Sequence, residues 1–136
     1  MADGVAAVRS VLVGDPALTA LVPATQIVAG VLPQGFALPS ISITSVSAVD
    51  RNIPSPGSHR QVTERVQVTV LAASYPEQKK AQAAVKKAAA DKLYPDVPGL
   101  SGVTIHTESA GPDMMNDEAS IYIGSLDLRV IYNEER

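Results

Sequence analysis

The stretch from Thr63 to Ala89, TERVQVTVLAASYPEQKKAQAAVKKAA, places a strand pattern directly before a helix pattern. In its first half polar and apolar residues alternate, which predicts a β-strand over Gln61 to Ala73. The predicted apolar face carries Val62, Val66, Val68 and Val70, and the other face carries Thr63, Arg65, Gln67 and Thr69. One face is therefore expected in the core, and the other in water or against another subunit.

The second half of the stretch predicts a helix over Pro76 to Tyr94, with Pro76 and Glu77 in its first turn. Helical spacing gives this helix a narrow stripe of mostly small residues: Ala81, Ala84, Val85, Ala88, Ala89 and Leu93. Its outer face is expected to carry Lys79, Lys80, Gln82, Lys86 and Lys87. Small side chains let a helix lie close to a sheet, so the stretch predicts a helix packed on a sheet face.

Upstream, the chain carries signals for two short helices. Asp3 is a candidate N-cap for the first helix, and Gly14 suits the position after its end. Asp15 and Pro16 then form a second helix start, and Pro23 ends that helix.

The remaining elements are predicted as strands. Apolar runs or alternation predict strands over Gln26 to Leu32, Ser40 to Val49, Val103 to Thr107 and Ala119 to Tyr132. The alternation slips between Ile43 and Val46, which predicts a bulge, and the apolar phase changes at Gly124-Ser125, which predicts a bulge or a bend. The tail from Asn133 to Arg136 is expected to fray.

Two polar stretches rich in Pro, Gly, Asp and Asn separate these strands, and residues 50–59 and 110–118 are predicted to be flexible loops. The element order predicts one domain over residues 1–136. Its class is α+β, with a mostly antiparallel sheet and helices packed on one face.

Composition excludes several classes of function. The 136 residues carry a net charge of −3 and no cysteine, so neither a disulfide framework nor a cysteine-based zinc site is expected. The acidic balance argues against a dedicated nucleic-acid binder. The N-terminus lacks a basic region typical of signal peptides, and no apolar run approaches a membrane span, so no membrane partner is expected.

The sequence contains no recognisable catalytic or cofactor-binding motif. Phosphate-binding glycine loops and the G-x-S-x-G elbow are absent. His59 and His106 have no metal-ligand spacing, and the acidic cluster Asp113, Asn116, Asp117 and Glu118 lacks the glycine of a calcium loop. We therefore predict no catalytic residue, no cofactor and no metal, and we expect that the protein is not an enzyme.

Three stretches resemble the tail completion proteins of long-tailed phages, also called tail terminators or tail-to-head joining proteins. The first runs from Val11 to Val22, VLVGDPALTALV, where a Gly-Asp-Pro break separates two helices. The second is LPSISI from Leu38 to Ile43, and the third is the strand-helix stretch from Thr63 to Ala89. A long final strand closes the domain in both. The resemblance lies in the order of the elements along nearly the whole chain.

This resemblance implies a structural virion subunit that forms a hexameric ring on the tail tube, in the neck at the top of the tail. The ring would end tube growth and join the tail to the head-completion or connector protein, and it would be assembled in the host cytoplasm. DNA would pass through its lumen without specific binding. Two groups of residues are candidates for contact with another subunit or with the connector: Arg51, Asn52, Ile53, His59 and Arg60, and Asp113, Met114, Met115 and Asn116.

Three alternatives remain open from sequence. The chain could be another neck protein, such as a head-completion stopper. It could be a small α+β ligand-binding module or enzyme, which a ligand-induced rise in melting temperature would reveal. It could also be a dimeric regulatory domain, which its gene neighbourhood would identify.

Overall fold

A seven-stranded sheet with three helices on one face forms the fold, seen in a computed structural model that describes residues 3–32, 36–52, 57–117 and 120–135. The helices are α1 (Gly4–Val13), α2 (Pro16–Leu21) and α3 (Tyr75–Ala89), and a 3₁₀ turn spans Ala24–Gln26. The strands are β1 (Ile27–Ala29), β2 (Ser40–Asp50), β3 (His59–Ala72), β4 (Lys92–Leu93), β5 (Leu100–Ala110), β6 (Met114–Asn116) and β7 (Ile121–Glu135).

The strand order is β1-β2-β3-β7-β5-β4, and β6 pairs with β7. Only the β1–β2 pair is parallel among these pairs. Because β3 occupies one side of β7 along its length, β6 lies on the same side as β5 and extends that edge. The prediction of an α+β domain with a mostly antiparallel sheet and helices on one face is confirmed.

The core lies between the helices and one face of the sheet, which we call the core face; the opposite face is the outer face. The four valines predicted on the apolar side of β3 are all buried on the core face. The largest fully buried apolar side chains come from every layer: Leu12, Leu18, Ile27, Ile41, Ile43, Ile105 and Leu128. Within the described residues, no helix combines the length and apolar character needed to cross a lipid bilayer.

The two N-terminal helices begin where their capping residues predict. The Asp3 carboxylate accepts a hydrogen bond from the Ala6 N–H at 3.0 Å, which caps α1. The Asp15 carboxylate accepts from the N–H groups of Ala17 at 2.9 Å and Leu18 at 3.1 Å, which caps α2.

The bulge predicted between Ile43 and Val46 is confirmed, and a bulge at Gly124-Ser125 is wrong. The β2–β3 register shifts between Ser45 and Ser47, which places a bulge at Val46. No shift occurs at Gly124, because β7 pairs with β3 without interruption from Tyr122 to Glu135. The apolar residues change face at this point without a break in the strand. Ile121 and Ile123 lie on the outer face, beside β6, whereas the buried residues of the core face begin at Gly124.

The C-terminal part of the predicted long helix is wrong. Helix α3 ends at Ala89, and Leu93 belongs to β4, where 62% of its surface is exposed. Asp91 and Tyr94 have positive φ angles of 52° and 55°, which turns the chain into a hairpin with β5. Gln82 was also misplaced on the outer side of the helix: it is buried, and its amide donates to the Ser125 carbonyl at 3.2 Å.

Several predicted strand boundaries differ from those in the structure. Pairing with β7 extends β5, which runs from Leu100 to Ala110, whereas β1 is shorter than predicted and covers only Ile27–Ala29. The tail predicted to fray is paired as far as Glu135, opposite His59. The predicted polar loop 110–118 contains β6, which pairs with the start of β7. Flexibility of the two loops stays a prediction.

Candidate functional site

The predicted interface residues fall into two groups at opposite ends of the sheet. The first group lies where β2 ends and β3 begins, and consists of Arg51, Asn52, His59 and Arg60; we call this the arm end. Ile53 belongs to the same predicted group but lies outside the described residues. The second group, Asp113, Met114, Met115 and Asn116, lies beside the start of β7; we call this the β6 end.

The arm end is built by the β2–β3 hairpin beyond the bulge. From Ser45 to Asp50, β2 is exposed. The Arg60 guanidinium lies 3.9 Å from the Asp50 carboxylate and 3.6 Å from that of Glu134, so it links three neighbouring strands. Arg51 and His59 are exposed beside it. The arm end therefore presents a polar surface with charges of both signs, on a hydrogen-bonded base.

At the β6 end, α3 holds the chain in place through Asp113. The Asp113 carboxylate accepts from the Tyr75 hydroxyl and from the Gln78 amide, and it pairs with the Lys79 ammonium, each at 2.9 Å. The pKa of Asp113 lies below its usual value, first because of the hydrogen bond from Lys79 and then because of that from Tyr75. Asp113 thus positions β6 against the helix.

Beside Asp113, β6 presents two exposed methionines. Met114 and Met115 are 59% and 45% exposed, and they pair with Ile123 and Tyr122 of β7. Successive side chains of a strand point to opposite faces, so Met114 lies on the outer face with Ile123, and Met115 lies on the opposite face with Tyr122. Methionine adapts its shape to an apolar partner, and the β6 end therefore offers one exposed apolar side chain on each face, in contrast to the arm end.

Replacing Asp113 with Asn is expected to lower stability at pH 6, and the difference from the unmodified protein should be smaller at pH 3. The folded-state pKa of Asp113 is depressed below 3.8, so its contribution is present above that value and is lost as the pH falls through the folded pKa. Urea unfolding of both proteins at the two pH values measures this. An equal difference at pH 6 and pH 3 would contradict the role of the ionised carboxylate.

The two ends are separated by most of the length of β7. Met114 is opposite Ile123, and His59 is opposite Glu135. Those β7 positions are twelve residues apart, which corresponds to about 40 Å at about 3.3 Å per residue. One continuous strand therefore connects the two candidate surfaces.

On the outer face, arginines are paired with carboxylates. Arg65 is hydrogen-bonded to Asp127, which raises the pKa of Arg65, and the Ser109 hydroxyl donates to the same carboxylate at 3.2 Å. Arg129 is hydrogen-bonded to Glu108. The centre of this face therefore carries neighbouring charges of both signs.

No arrangement of catalytic groups occurs within the described part of the chain. A groove of about 770 Å³ lies between α1 and the β1–β2 edge, and its charged side chains are Asp3 and Arg9. Asp3 caps α1, and the Arg9 guanidinium donates to the Ile27 carbonyl at 3.1 Å. His106 lies 2.9 Å from Asp91 at the surface. No group of three or more His, Asp or Glu in the described ranges could hold a metal ion.

Sequence reasoning missed one buried polar cluster. Glu64 is 3% exposed on the core face of β3 and accepts hydrogen bonds from the Gly4 N–H at 2.9 Å and the Tyr132 hydroxyl at 2.7 Å. The signal was present, because Glu64 stands between Val62 and Val66 at an apolar position of the alternation. An acid at such a position indicates a buried partner.

Comparisons with known proteins identify the family of this chain. The family model described as tail completion protein gp17 matches residues 6–133. A chain in a solved structure titled "Virion of native gene transfer agent (GTA) particle" is similar, with a TM-score of 0.69, 22% identity and coverage of 93% of this chain and 91% of that chain. At this identity the likeness shows the fold alone. No curated protein sequence matches. The family match covers nearly the whole chain, and the protein therefore belongs to the tail completion protein gp17 family, as a structural component of the phage tail and not an enzyme.

Proposed function

We propose that this protein forms a ring of six copies that caps the tail tube, ends its growth and joins the tail to the head connector. The partners are further copies of the chain, the tail tube protein and the head-completion or connector protein. DNA passes through the ring without specific binding. The ring sits in the neck, at the top of the tail, and is assembled in the host cytoplasm.

The separation of the arm end from the β6 end carries this proposal. A subunit that joins two structures must contact a different partner at each end. The two ends differ in chemistry: Arg51, His59 and Arg60 lie at one, and exposed Met114 and Met115 lie at the other. They are connected by β7, which is paired with β3 from Tyr122 to Glu135 and gives the joint a stiff axis.

The free passage of DNA is supported by the charges of the chain. The net charge is −3, and the outer-face arginines Arg65 and Arg129 are each bound to a carboxylate. Binding to a phosphate backbone depends on cations that neutralise phosphates. A surface in which the arginines already have anionic partners holds passing DNA weakly.

Deleting this gene alone from its phage or prophage is expected to leave filled heads beside unattached tails, many of them overlong. Electron microscopy of the lysate measures both effects, and a plasmid copy of the unchanged gene should restore virions. Normal virions without the gene would overturn the proposal. Intact tails beside leaking, empty heads would assign the protein to the head side of the neck as a stopper.

The same assay can test the β6 end. A plasmid copy with Met114→Asp and Met115→Asp should fold, since both side chains are exposed, but it should fail to restore joined particles. Val31→Asp is the matched control, because Val31 is 86% exposed and lies outside both ends. Overlong tails with the methionine variant would assign the β6 end to the tube, and capped but unattached tails would assign it to the head. Full restoration would remove the β6 end from the proposal.

A further inference from the structure

A row of directly paired residues crosses the outer face of the sheet from one edge to the other. Val49 of β2 is opposite Thr63, and Thr63 is opposite Ile131. Ile131 is opposite Thr104, and Thr104 is opposite Leu93 of β4. The row therefore spans five strands at one level of the sheet.

The two ends of this row are exposed apolar side chains. Val49 is 67% exposed and Leu93 is 62% exposed, whereas the three residues between them are partly buried. Further exposed apolar residues flank each end: Val46, 50% exposed, precedes Val49, and Tyr94, 71% exposed, follows Leu93. Exposed apolar side chains are thus present at both edges of the sheet, at or near this level.

We propose that neighbouring copies in the ring meet edge to edge, with Leu93 of one copy packed against Val49 of the next. The inference deepens the proposed function and rests on it. In a ring whose axis runs along the strands, rotation brings one edge of a subunit to the opposite edge of its neighbour. Residues in one row then lie at the same height along the ring axis in every copy. Leu93 and Val49 belong to one row and lie on the same face of the sheet, so Leu93 of one copy meets Val49 of the next.

The charges beside the row favour a second copy as the occupant. On the core face, Asp50 follows Val49 at one edge, and Lys92 precedes Leu93 at the other. The Asp50 side chain is 46% exposed despite its 3.9 Å pair with Arg60, and Lys92 is exposed. By the strand registers Asp50 is level with Tyr132 and Lys92 with Val130, so the two charges lie two residues apart along the strands, about 7 Å at about 3.3 Å per residue. The long Lys92 side chain can reach Asp50 of the next copy diagonally, and such complementary charges favour a second copy as the partner.

The chain has no cysteine, so introduced cysteines report this contact directly. We expect the double variant Val49→Cys/Leu93→Cys, in particles assembled without the unchanged protein, to form a ladder of covalent oligomers on mild oxidation. Each single variant should remain monomeric under denaturing conditions. An equal mixture of the two single variants should stop at covalent dimers. That pattern identifies contact between two different edges.

The matched control is Val49→Cys/Met114→Cys. Met114 is opposite Ile123, which is opposite Leu71 and, across β3, Ser40. Its level is thus eight residues from that of Val49, counted along β3 from Thr63 to Leu71, or about 26 Å at about 3.3 Å per residue. In a ring whose neighbouring copies place the same row at the same height, these cysteines are too far apart to form a disulfide, so no ladder is expected.

Charge reversal gives an independent readout in the double-cysteine background. Asp50→Lys or Lys92→Asp alone should lower the yield of covalent oligomers about tenfold, because like charges then face each other across the edge contact. Combining the two reversals should restore the yield. Equal yields in all of these variants would remove the charge pair from the interface.

Two failures are distinguishable. If the double-cysteine protein is in the particles but gives no ladder, the edge contact is wrong and the proposed function stands. Covalent dimers from Val49→Cys alone would likewise overturn it, because they require the same edge on both copies. If the protein is absent from otherwise normal particles, both the proposed function and the proposed contact are wrong.

Discussion

Replacing Glu64 with Ala is expected to lower the free energy of unfolding by about 3 kcal/mol, which a urea titration at neutral pH would measure. The change removes the acceptor for the Gly4 N–H and for the Tyr132 hydroxyl. Both donors are buried at the junction of α1 with the sheet, and a buried donor without a partner costs about 1–3 kcal/mol.

The close approach of α1 to the sheet makes the stability of the protein sensitive to replacement of Glu64. A Cβ at Gly4 would lie 2.8 Å from the Glu64 carboxyl group, so the helix N-terminus comes close to the acid because position 4 is glycine. The carboxylate also lies at the positive end of the helix dipole, which favours a negative charge.

The same cluster predicts how stability changes at high pH. Burial, and then the hydrogen bond to Glu64, raise the pKa of Tyr132 well above its usual value of 10.0. A group whose folded-state pKa is raised contributes fully below the unfolded value, and that contribution is lost as the pH rises towards the folded value. Stability should thus fall above pH 10, and less steeply in Glu64→Ala, which keeps the effect of burial but loses the hydrogen bond.

Two variants serve as controls for the Glu64 experiment. Glu64→Gln keeps an oxygen acceptor of similar shape and should be less destabilising than Glu64→Ala. Gln61→Ala changes an exposed residue on the same strand and should stay within about 0.5 kcal/mol of the unmodified protein. A Glu64→Ala protein as stable as Gln61→Ala would show that these hydrogen bonds contribute little.

Local signals predicted the elements whose formation depends on local chemistry. Asp3 and Asp15 cap helices as predicted, because a capping side chain acts on a backbone two or three residues away. The alternation of β3 predicted its buried face. Strand β6 was missed because Met114 gains its ladder partner, Ile123, from a separate element. Leu93 was misplaced for the same kind of reason, since the hairpin with β5 competes with continuation of the helix.

The candidate site was partly predictable in the same sense. Polar, turn-rich composition identified the loops that carry the arm end and the β6 end. Their placement at opposite ends of β7 depends on the pairing of His59 with Glu135 and of Met114 with Ile123. The alternation of polar and apolar residues does not predict which residues of two strands pair. The alignment of Val49 with Leu93 requires four successive registers, so only the folded sheet reveals it.

Gly124→Val is expected to lower the free energy of unfolding by about 3 kcal/mol, and Gly124→Ala by about 1–2 kcal/mol. A Cβ at Gly124 would lie 2.4 Å from the Gln78 amide nitrogen and 2.4 Å from the Gln82 amide oxygen. These are the ends of flexible side chains, but they are held: Gln78 donates to Asp113 at 2.9 Å and Gln82 to the Ser125 carbonyl at 3.2 Å. Relief of the overlap must break these hydrogen bonds or move α3 away from β7.

A double-mutant cycle separates this overlap from the intrinsic cost of a side chain at position 124. Gly124→Ala should cost less in a Gln82→Ala background, because the truncated side chain no longer meets the new methyl group. Gly57→Ala is the control, since a Cβ there would meet nothing within 4 Å and its stability should change by less than about 0.5 kcal/mol. Urea unfolding of the four proteins of the cycle gives the coupling energy. If Gly124→Ala leaves stability unchanged in both backgrounds, glycine at position 124 is not required for the close packing of α3 on β7.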